Sequence, residues 1–313
     1  MRFQYCRNLR NRKDTRMPLK PVFDLVHDAL EKKYALGYFE SWNFESLQGV
    51  LDAAEQTRSP IIIGFNGDFM SRAGRRVPER LRCYAELGKA AASGASVPCG
   101  LIFNECPRDE WVHDATLAGF NLVMPADPEA SYEDYVRRVT ALTEYAHQRG
   151  VAVEAEIGQL PSGASGEVKE DGRMTDPEMA GRFVRATGVD LLAVSVGNVH
   201  VMLRGERELD LERLACIQEQ VSIPLVLHGG TGIPGIALQE AIRRGVAKVN
   251  YGTYLKQRYL KAVSFALQRG NANPHELLGM GGDWDLMVAG RIAVRDAVLE
   301  RIELLGCCGR AKI

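Results

Sequence analysis

The feature that most constrains the fold of this chain is a repeated alternation of short apolar runs with longer helical patterns. Eight such runs occupy residues 34–39, 60–65, 97–103, 121–126, 151–157, 191–196, 224–227 and 248–251. Runs that are apolar nearly throughout are typical of strands buried on both faces, as in a parallel sheet. The alternation therefore predicts a parallel α/β architecture.

Helical periodicity follows most of the runs, with clear examples over residues 132–149, 177–187 and 236–244. Strand–helix alternation requires right-handed crossovers, and eight repeats are the number that closes a (β/α)8 TIM barrel. A doubly wound open sheet is the competing arrangement, and the count of eight favours the barrel.

No low-complexity linker divides the predicted barrel. We expect a single TIM-barrel domain over residues 17–313 with a helical C-terminal tail, preceded by an extension over residues 1–16. Met17 directly precedes a predicted helix, so the sequence leaves open whether translation starts at Met1 or Met17. Residues 158–175 form a long Gly-, Ser- and charge-rich stretch after the fifth run, and a loop of this length predicts either a lid or a disordered segment.

Composition excludes several classes of partner. The 39 basic and 40 acidic residues leave a formal net charge of −1, which argues against nucleic acid binding. No run of eighteen apolar residues is present, so no transmembrane helix is expected. The seven cysteines include no C-x-x-C pair, and they indicate reduced thiols and a cytoplasmic location.

Polar side chains gather where the predicted strands end. In a TIM barrel these ends form the mouth of the active site. They carry Asn66, Asn104, Glu105, Glu154, Glu156, Asn198, His200, His228 and Asn250. Glu105, His200 and His228 would form a set of two imidazoles and one carboxylate that suits Zn²⁺ or another divalent metal. Hydrogen-bonded histidines at the barrel rim are the alternative.

Two glycine-containing segments predict an anion site. HGGTGIP (228–234) follows the seventh run and opens a helix, while NYGT (250–253) follows the eighth. Glycine backbone groups and a helix start can both approach an anion, and barrels often bind phosphate between these two loops. The candidate binding residues are Gly229, Gly230, Thr231, Asn250, Gly252 and Thr253.

These segments together resemble the class II, metal-dependent ketose-bisphosphate aldolase family, which includes fructose- and tagatose-bisphosphate aldolases. SPIIIGF (59–65), VEAEIG (153–158), HGGTGIP (228–234), GVAKVN (245–250) and the GCCGRA tail carry much of the resemblance, which covers nearly the whole chain. The resemblance implies a TIM barrel that forms a homodimer or homotetramer. It also implies a metal that polarises a ketose carbonyl and stabilises an enediolate derived from dihydroxyacetone phosphate.

The resemblance also assigns roles to single residues. His200 and His228 match two of the family's three metal-binding histidines, and Glu156 matches a carboxylate beside the metal. Gly229, Gly230 and Thr231 match phosphate-loop positions, Asn250 matches a substrate-contacting asparagine, and Arg204 stands where many members carry a lysine. Glu170 matches the lid glutamate that moves a proton on the dihydroxyacetone portion.

The sequence departs from the family after the third run, where LIFNEC (101–106) replaces a pattern like LHLDHG. Asn104 occupies the position of the catalytic aspartate, and Glu105 that of the third metal histidine. Val201 replaces a phosphate-contacting glycine, and Asn66 replaces a serine. An amide cannot take and return a proton as a carboxyl group does. A carboxylate ligand lowers the charge of the metal site, so Mn²⁺, Mg²⁺ or Fe²⁺ compete with the expected Zn²⁺.

We therefore predict a divergent class II aldolase-like lyase. It would act with metal assistance on a small phosphorylated or otherwise anionic hydroxy-carbonyl compound, with Asn104, Glu105 and Glu170 as candidate catalytic positions. Glu105 as a proton carrier in place of the aspartate is one open variant. A non-catalytic sensor or partner subunit is the second hypothesis, and an enolising isomerase, epimerase or decarboxylase is the third.

Overall fold

Eight parallel strands close into a barrel in which each strand pairs with its neighbours in chain order, and the first pairs with the last. The strands are β1 (Leu36–Glu40), β2 (Ile61–Asn66), β3 (Cys99–Cys106), β4 (Leu122–Pro125), β5 (Ala152–Ile157), β6 (Leu191–Val194), β7 (Leu225–Leu227) and β8 (Val246–Tyr251). The predicted TIM barrel is confirmed.

The computed structural model describes residues 19–158, 160, 162–163, 172–199, 201–202 and 205–311, with the backbone alone at 162–163 and 201–202. The predicted extension over residues 1–16 and most of the predicted lid lie outside these ranges. Backbone pairing joins Ser162–Gly163 to Val201–Met202 in a short second sheet.

Helices surround the barrel. They are α1 (Val22–Glu31), α2 (Phe44–Thr57), α3 (Gly67–Ser71), α4 (Leu81–Gly94), α5 (Asp109–Ala118), α6 (Tyr132–His147), α7 (Pro177–Thr187), α8 (Leu211–Gln220), α9 (Gly235–Arg243), α10 (Thr253–Gln268), α11 (Pro274–Leu277) and α12 (Leu286–Leu305). Several begin at side-chain caps: Asn43, Ser131, Asp176 and Asp210 each accept a backbone N–H of the first turn.

The core is continuous from the barrel interior to the strand–helix layer, and every residue of β1, β2 and β8 is buried. Burial on both faces explains why the strands read as unbroken apolar runs. The C-terminal helix α12 packs against α2 and α10. Within the described ranges, no helix combines the length and apolar character needed to cross a membrane.

One irregularity shapes the mouth of the barrel. Between β3 and β4 the register shifts, because Phe103 and Cys106 pair with Val123 and Pro125. The residues between them form a bulge, and Glu105 within it has a φ of 54°. A glutamate is uncommon in the left-handed region, where its backbone is strained. Strain of this kind is found most often at functional positions.

Candidate functional site

His228 directly follows β7 and is surrounded by three carboxylates. Its Nδ1 atom lies 2.8 Å from Glu156 Oε2 and 3.3 Å from Glu105 Oε1. Its Nε2 atom lies 3.0 Å from Glu154 Oε1. The imidazole is only 1% exposed, so these contacts form away from bulk water.

A second chain of contacts runs beneath the histidine through the barrel interior. Lys248 on β8 is fully buried, and its Nζ atom lies 2.8 Å from Glu154 Oε2. The same ammonium group donates a hydrogen bond of 2.6 Å to Asn250 Oδ1. Glu154 thus joins Lys248 to His228, and Lys248 joins Glu154 to Asn250. Glu154 and Glu156 lie two residues apart on β5, and both contact His228.

These contacts determine protonation. Burial raises the pKa of Glu154, but Lys248 and His228 outweigh it and lower that pKa below its usual value. Burial opposes a charged imidazole, yet the carboxylates of Glu156, Glu105 and Glu154 raise the pKa of His228 well above its usual value. Glu154 therefore remains an ionised acceptor, and it holds the proton on Nε2 of His228.

Asn66 holds Glu105 in place. Its Nδ2 atom donates to Glu105 Oε2 at 2.9 Å, while its Oδ1 accepts from Phe69 N at the start of α3. The amide thus uses its donor on the carboxylate and its acceptor on a helix N-terminus. The two departures at Asn66 and Glu105 are physically coupled.

The strand ends surround a cleft of about 60 Å³. Among the predicted residues, Asn66, Asn104, Glu105, His228, Gly229, Thr231, Asn250, Gly252 and Thr253 line it. Gly230 lies beneath the loop instead, where a Cβ atom would come 2.6 Å from Val249 Cγ1. Gly230 thus allows the loop to pack on β8.

The α10 end of the cleft carries features suited to an anion. Helix α10 begins at Thr253 after Gly252, and no side chain caps its first backbone N–H groups. Lys256, one turn into the helix, lines the same cleft and is paired with Glu40 at the end of β1. Uncapped N–H groups attract negative charge through hydrogen bonding and the helix dipole.

A larger lobe of about 750 Å³ opens on the other side of Glu105, between the ends of β3, β4 and β5. Glu105 borders both spaces, and Glu156, Asp127, Arg72 and Arg173 line the second. The carboxylate–imidazole cluster therefore stands at the junction of a small polar cleft and a roomier lobe. This arrangement can hold the reacting part of a substrate in one space and a longer substituent in the other.

Three predicted site residues lie outside the described residues: Glu170, His200 and Arg204. The proposed ligand set of Glu105, His200, His228 and Glu156 is therefore only partly visible. Within the described ranges, no group of three His, Cys, Asp or Glu side chains has a geometry ready to bind a metal ion. Glu105, His228 and Glu156 nevertheless come together.

Sequence reasoning missed four residues of the site, namely Tyr38, Glu40, Lys248 and Lys256. Lys248 had a usable signal, because a lysine within a fully buried strand requires a buried partner. Tyr38 gave no such signal, because a tyrosine in a strand is equally compatible with a place in the hydrophobic core. Glu40 and Lys256 belong to different elements, and only the tertiary fold brings them together.

Comparison with known proteins agrees with this geometry. The model of the family described as fructose-bisphosphate aldolase class-II matches residues 20–310. The protein YdjI of Escherichia coli K12 is 33% identical over 91% of this chain and 97% of its own length. A fructose-bisphosphate aldolase of Geobacillus stearothermophilus is 32% identical over 94% of this chain and 99% of its own.

Solved structures lead to the same family. The crystal structure of the YdjI aldolase from Escherichia coli K12 superposes with a TM-score of 0.79 at 31% identity, covering 95% of this chain and all of that one. The barrel, the loop after β7 and the residues around His228 thus occur in a chain that matches these aldolases over nearly its full length. The protein belongs to the class II fructose-bisphosphate aldolase family.

Proposed function

We propose that this protein is a metal-assisted carbon–carbon lyase that acts on a small anionic hydroxy-carbonyl compound, with a sugar phosphate as the leading candidate. The observation that carries the proposal is the position of His228, whose Nδ1 faces Glu105 and Glu156 while Glu154 accepts from Nε2. A buried carboxylate behind an imidazole is the arrangement that orients a metal-binding histidine.

The donors are of the kinds that bind a divalent cation, and two of their separations come near those of a metal site. Metal–ligand bonds of roughly 2.0–2.2 Å place neighbouring donor atoms about 3–3.5 Å apart in octahedral and tetrahedral sites. The separations of 2.8 and 3.3 Å from Nδ1 to the two carboxylates are close to this range. Glu105, His228 and Glu156, with His200, would hold the ion. When bound, such a cation polarises a carbonyl oxygen as a Lewis acid.

Carboxylate donors also bear on metal choice. Oxygen ligands are more common around Mn²⁺ and Mg²⁺ than around structural zinc, whereas imidazoles suit Zn²⁺ and Fe²⁺. A mixed set of two carboxylates and two imidazoles accommodates each of these ions. We keep Zn²⁺ first because the family relationship favours it.

The anionic end of the substrate would bind at the other end of the cleft. The N-terminus of α10, Thr253 and Thr231 supply neutral donors, and Lys256 adds a positive charge. Glu40 beside Lys256 moderates that charge, so the site would favour an anion that reaches the backbone donors.

Asn104 defines what this chain can do to the rest of the substrate. The side chain is 2% exposed and lines the cleft, where its Oδ1 can accept a hydrogen bond from a substrate hydroxyl. It orients that hydroxyl but does not remove its proton. Proton transfer would then belong to Glu170 on the dihydroxyacetone side, with Glu105 occupied by Asn66 and His228.

Metal analysis tests the centre directly. Purified wild-type protein should contain a divalent ion by plasma mass spectrometry, and His228→Ala should lose it. His147→Ala is the matched control, because His147 is partly exposed and pairs with Asp190 outside the site. A wild-type protein that is free of metal and gives no calorimetric signal with Zn²⁺, Mn²⁺, Mg²⁺ or Fe²⁺ would refute the proposal.

An enolising enzyme without an aldol step is the second candidate, and the neutral Asn104 favours it. Both candidates exchange the proton next to a ketose carbonyl with solvent deuterium, whereas only the lyase releases an aldehyde. The lyase and the enolising enzyme are distinguished by measuring deuterium exchange and aldehyde release on the same panel of ketose 1-phosphates.

We also propose a homo-oligomeric, cytoplasmic protein, and the six free cysteines of the described ranges support reduced surroundings.

A further inference from the structure

Tyr38, Asn104 and Asn250 line the small cleft, and each has a buried polar atom without a hydrogen-bond partner among the described residues. These atoms are the Tyr38 hydroxyl, Asn104 Oδ1 and Asn250 Nδ2. Their residues are 2%, 2% and 7% exposed, and all three line the cleft. Buried polar atoms are nearly always hydrogen-bonded in native proteins, so a group of three in one cavity points to a ligand.

The orientation of Asn250 is determined from below. Lys248 Nζ can only donate, and it donates to Asn250 Oδ1 at 2.6 Å. The amide oxygen must therefore face the lysine, which leaves Nδ2 directed at the cleft. Lys248 is itself held by Glu154, so the direction of this donor is set by a fully buried ion pair.

Tyr38 stands beside Asn250. The two residues are register partners on the neighbouring strands β1 and β8. Partners at one level of a parallel barrel project to the same side, and both reach the cleft. The tyrosine ring also packs against Lys248, whose Nζ lies 5.2 Å from the ring centroid.

The phenol keeps its proton. Burial, with the nearby carboxylates of Glu40, Glu105 and Glu154, raises the pKa of Tyr38 well above its usual value. A neutral phenol in this position can donate a hydrogen bond.

We propose that Tyr38 is a further catalytic residue, whose hydroxyl donates together with Asn250 Nδ2 to the substrate oxygen that gains negative charge. Asn104 Oδ1 accepts from the adjacent substrate hydroxyl. This assignment rests on the proposed function. It also identifies what the three residues recognise in the substrate, namely an oxygen next to a hydroxyl group. Preorganised donors at an oxygen that gains charge stabilise it without reorganisation.

The first test uses dihydroxyacetone phosphate in deuterated water as the probe. Wild-type protein should exchange a proton of the probe, and Tyr38→Phe should lower the exchange rate at saturating probe by about 10²-fold, the usual loss for one such donor. Tyr34→Phe is the matched control, because the Tyr34 hydroxyl bonds to Asp28 far from the cleft. Normal exchange by Tyr38→Phe overturns the assignment.

The second test needs no substrate. A hydroxyl retained for a ligand contributes nothing to folding, so Tyr38→Phe should leave the melting temperature unchanged or raise it, while Tyr34→Phe should lower it. If Tyr38→Phe lowers the melting temperature as much as Tyr34→Phe does, the assignment is overturned, whatever the exchange result. A wild-type protein that does not exchange the probe contradicts the proposed function, and the melting comparison then decides the role of Tyr38 alone.

Discussion

A few residues inside the barrel carry charge where most interior side chains are apolar. Glu154 and Lys248 are both fully buried, and each has the other as its ionic partner. Desolvating two charges is costly, and the cost is recovered only when additional hydrogen bonds satisfy both groups. His228 and Asn250 provide those bonds. The pair thus positions two residues of the mouth.

Removing one member of this pair should reveal the free-energy cost of burying the other charge. We expect Lys248→Met to lose about 3–5 kcal/mol of unfolding free energy, because Glu154 would lose its ammonium partner and remain a buried charge held by His228 alone. Urea unfolding measures the change. The double variant Lys248→Met, Glu154→Gln should recover much of the loss. A single variant as stable as the wild type would contradict the buried pair.

Asn104 allows a gain-of-function prediction. Asn104→Asp returns a carboxyl group to the cleft, so aldehyde release from a cleavable ketose 1-phosphate should rise by about 10²–10⁴-fold, the usual worth of general acid–base catalysis. Proton exchange next to the carbonyl should change little. Asn104→Ala removes the amide without adding a carboxyl group, and it should gain no activity. No gain in the aspartate variant on any ketose 1-phosphate tested would argue against a latent aldolase site.

At the scale of elements, a bulge in β3 and the cap of α12 each fix the position of neighbouring parts of the fold. The bulge in β3 directs Glu105 toward His228 through a left-handed backbone conformation. At the other end of the chain, Asp285 begins α12 by accepting from Met287 N and Val288 N. Its second oxygen accepts from Gly279 N and Gly281 N, so one carboxylate joins the preceding loop to the helix.

The Asp285 cap should make stability depend on pH. Burial opposes its ionisation, but the four backbone donors outweigh burial and lower the pKa of Asp285 below 3.8. A lowered native pKa stabilises the fold above the unfolded-state value, and this contribution is lost as the pH falls through the native value. Asp285→Asn should cost about 1–3 kcal/mol at neutral pH, because an amide offers one acceptor oxygen in place of two and leaves backbone N–H groups unpaired.

The measurement for Asp285 is urea unfolding of wild type and variant across a pH series. The difference between the two should shrink as the pH drops below 3.8, the ordinary value for this carboxyl group. Asp24→Asn, an exposed aspartate in the first turn of α1, is the control and should show a small, flat difference. A difference that stays constant down to low pH would contradict the ionised cap.

At the scale of the whole molecule, the parallel barrel gathers the ends of all eight strands at one mouth. Side chains separated by more than a hundred residues, such as Glu105 and His228, meet there at 3.3 Å. Ligands of the mouth therefore connect distant parts of the chain, and binding should stabilise the fold as one unit.

Metal should raise the stability of the entire barrel. At a free concentration of 100 times the dissociation constant, an ion that binds only the folded state adds about 2.7 kcal/mol. Calorimetric melting of protein stripped with a chelator should show a lower melting temperature, restored by Zn²⁺ or Mn²⁺. His228→Ala should show no response to either ion. An equal response in that variant would place the ion elsewhere.

The sequence alone determined the barrel and the family, because apolar runs, their number and the ordered motifs are properties of the chain that need no distant contacts. It also indicated most of the mouth, since strand ends in a parallel barrel converge on one face. The predicted strand ends differ from the observed ones by up to three residues. The largest difference is at β3, because the bulge that extends this strand to Cys106 leaves no pattern in the sequence.

Only the tertiary structure decided which polar groups act together. Glu154 pairs with Lys248 from β8, and the Tyr38 hydroxyl shares a cleft with Asn104 and Asn250. Burial and distance determine those relations, and both arise from closure of the barrel, which brings β1 against β8. A pattern along the chain records which residues are available, whereas the charge and protonation of the site depend on which of them meet.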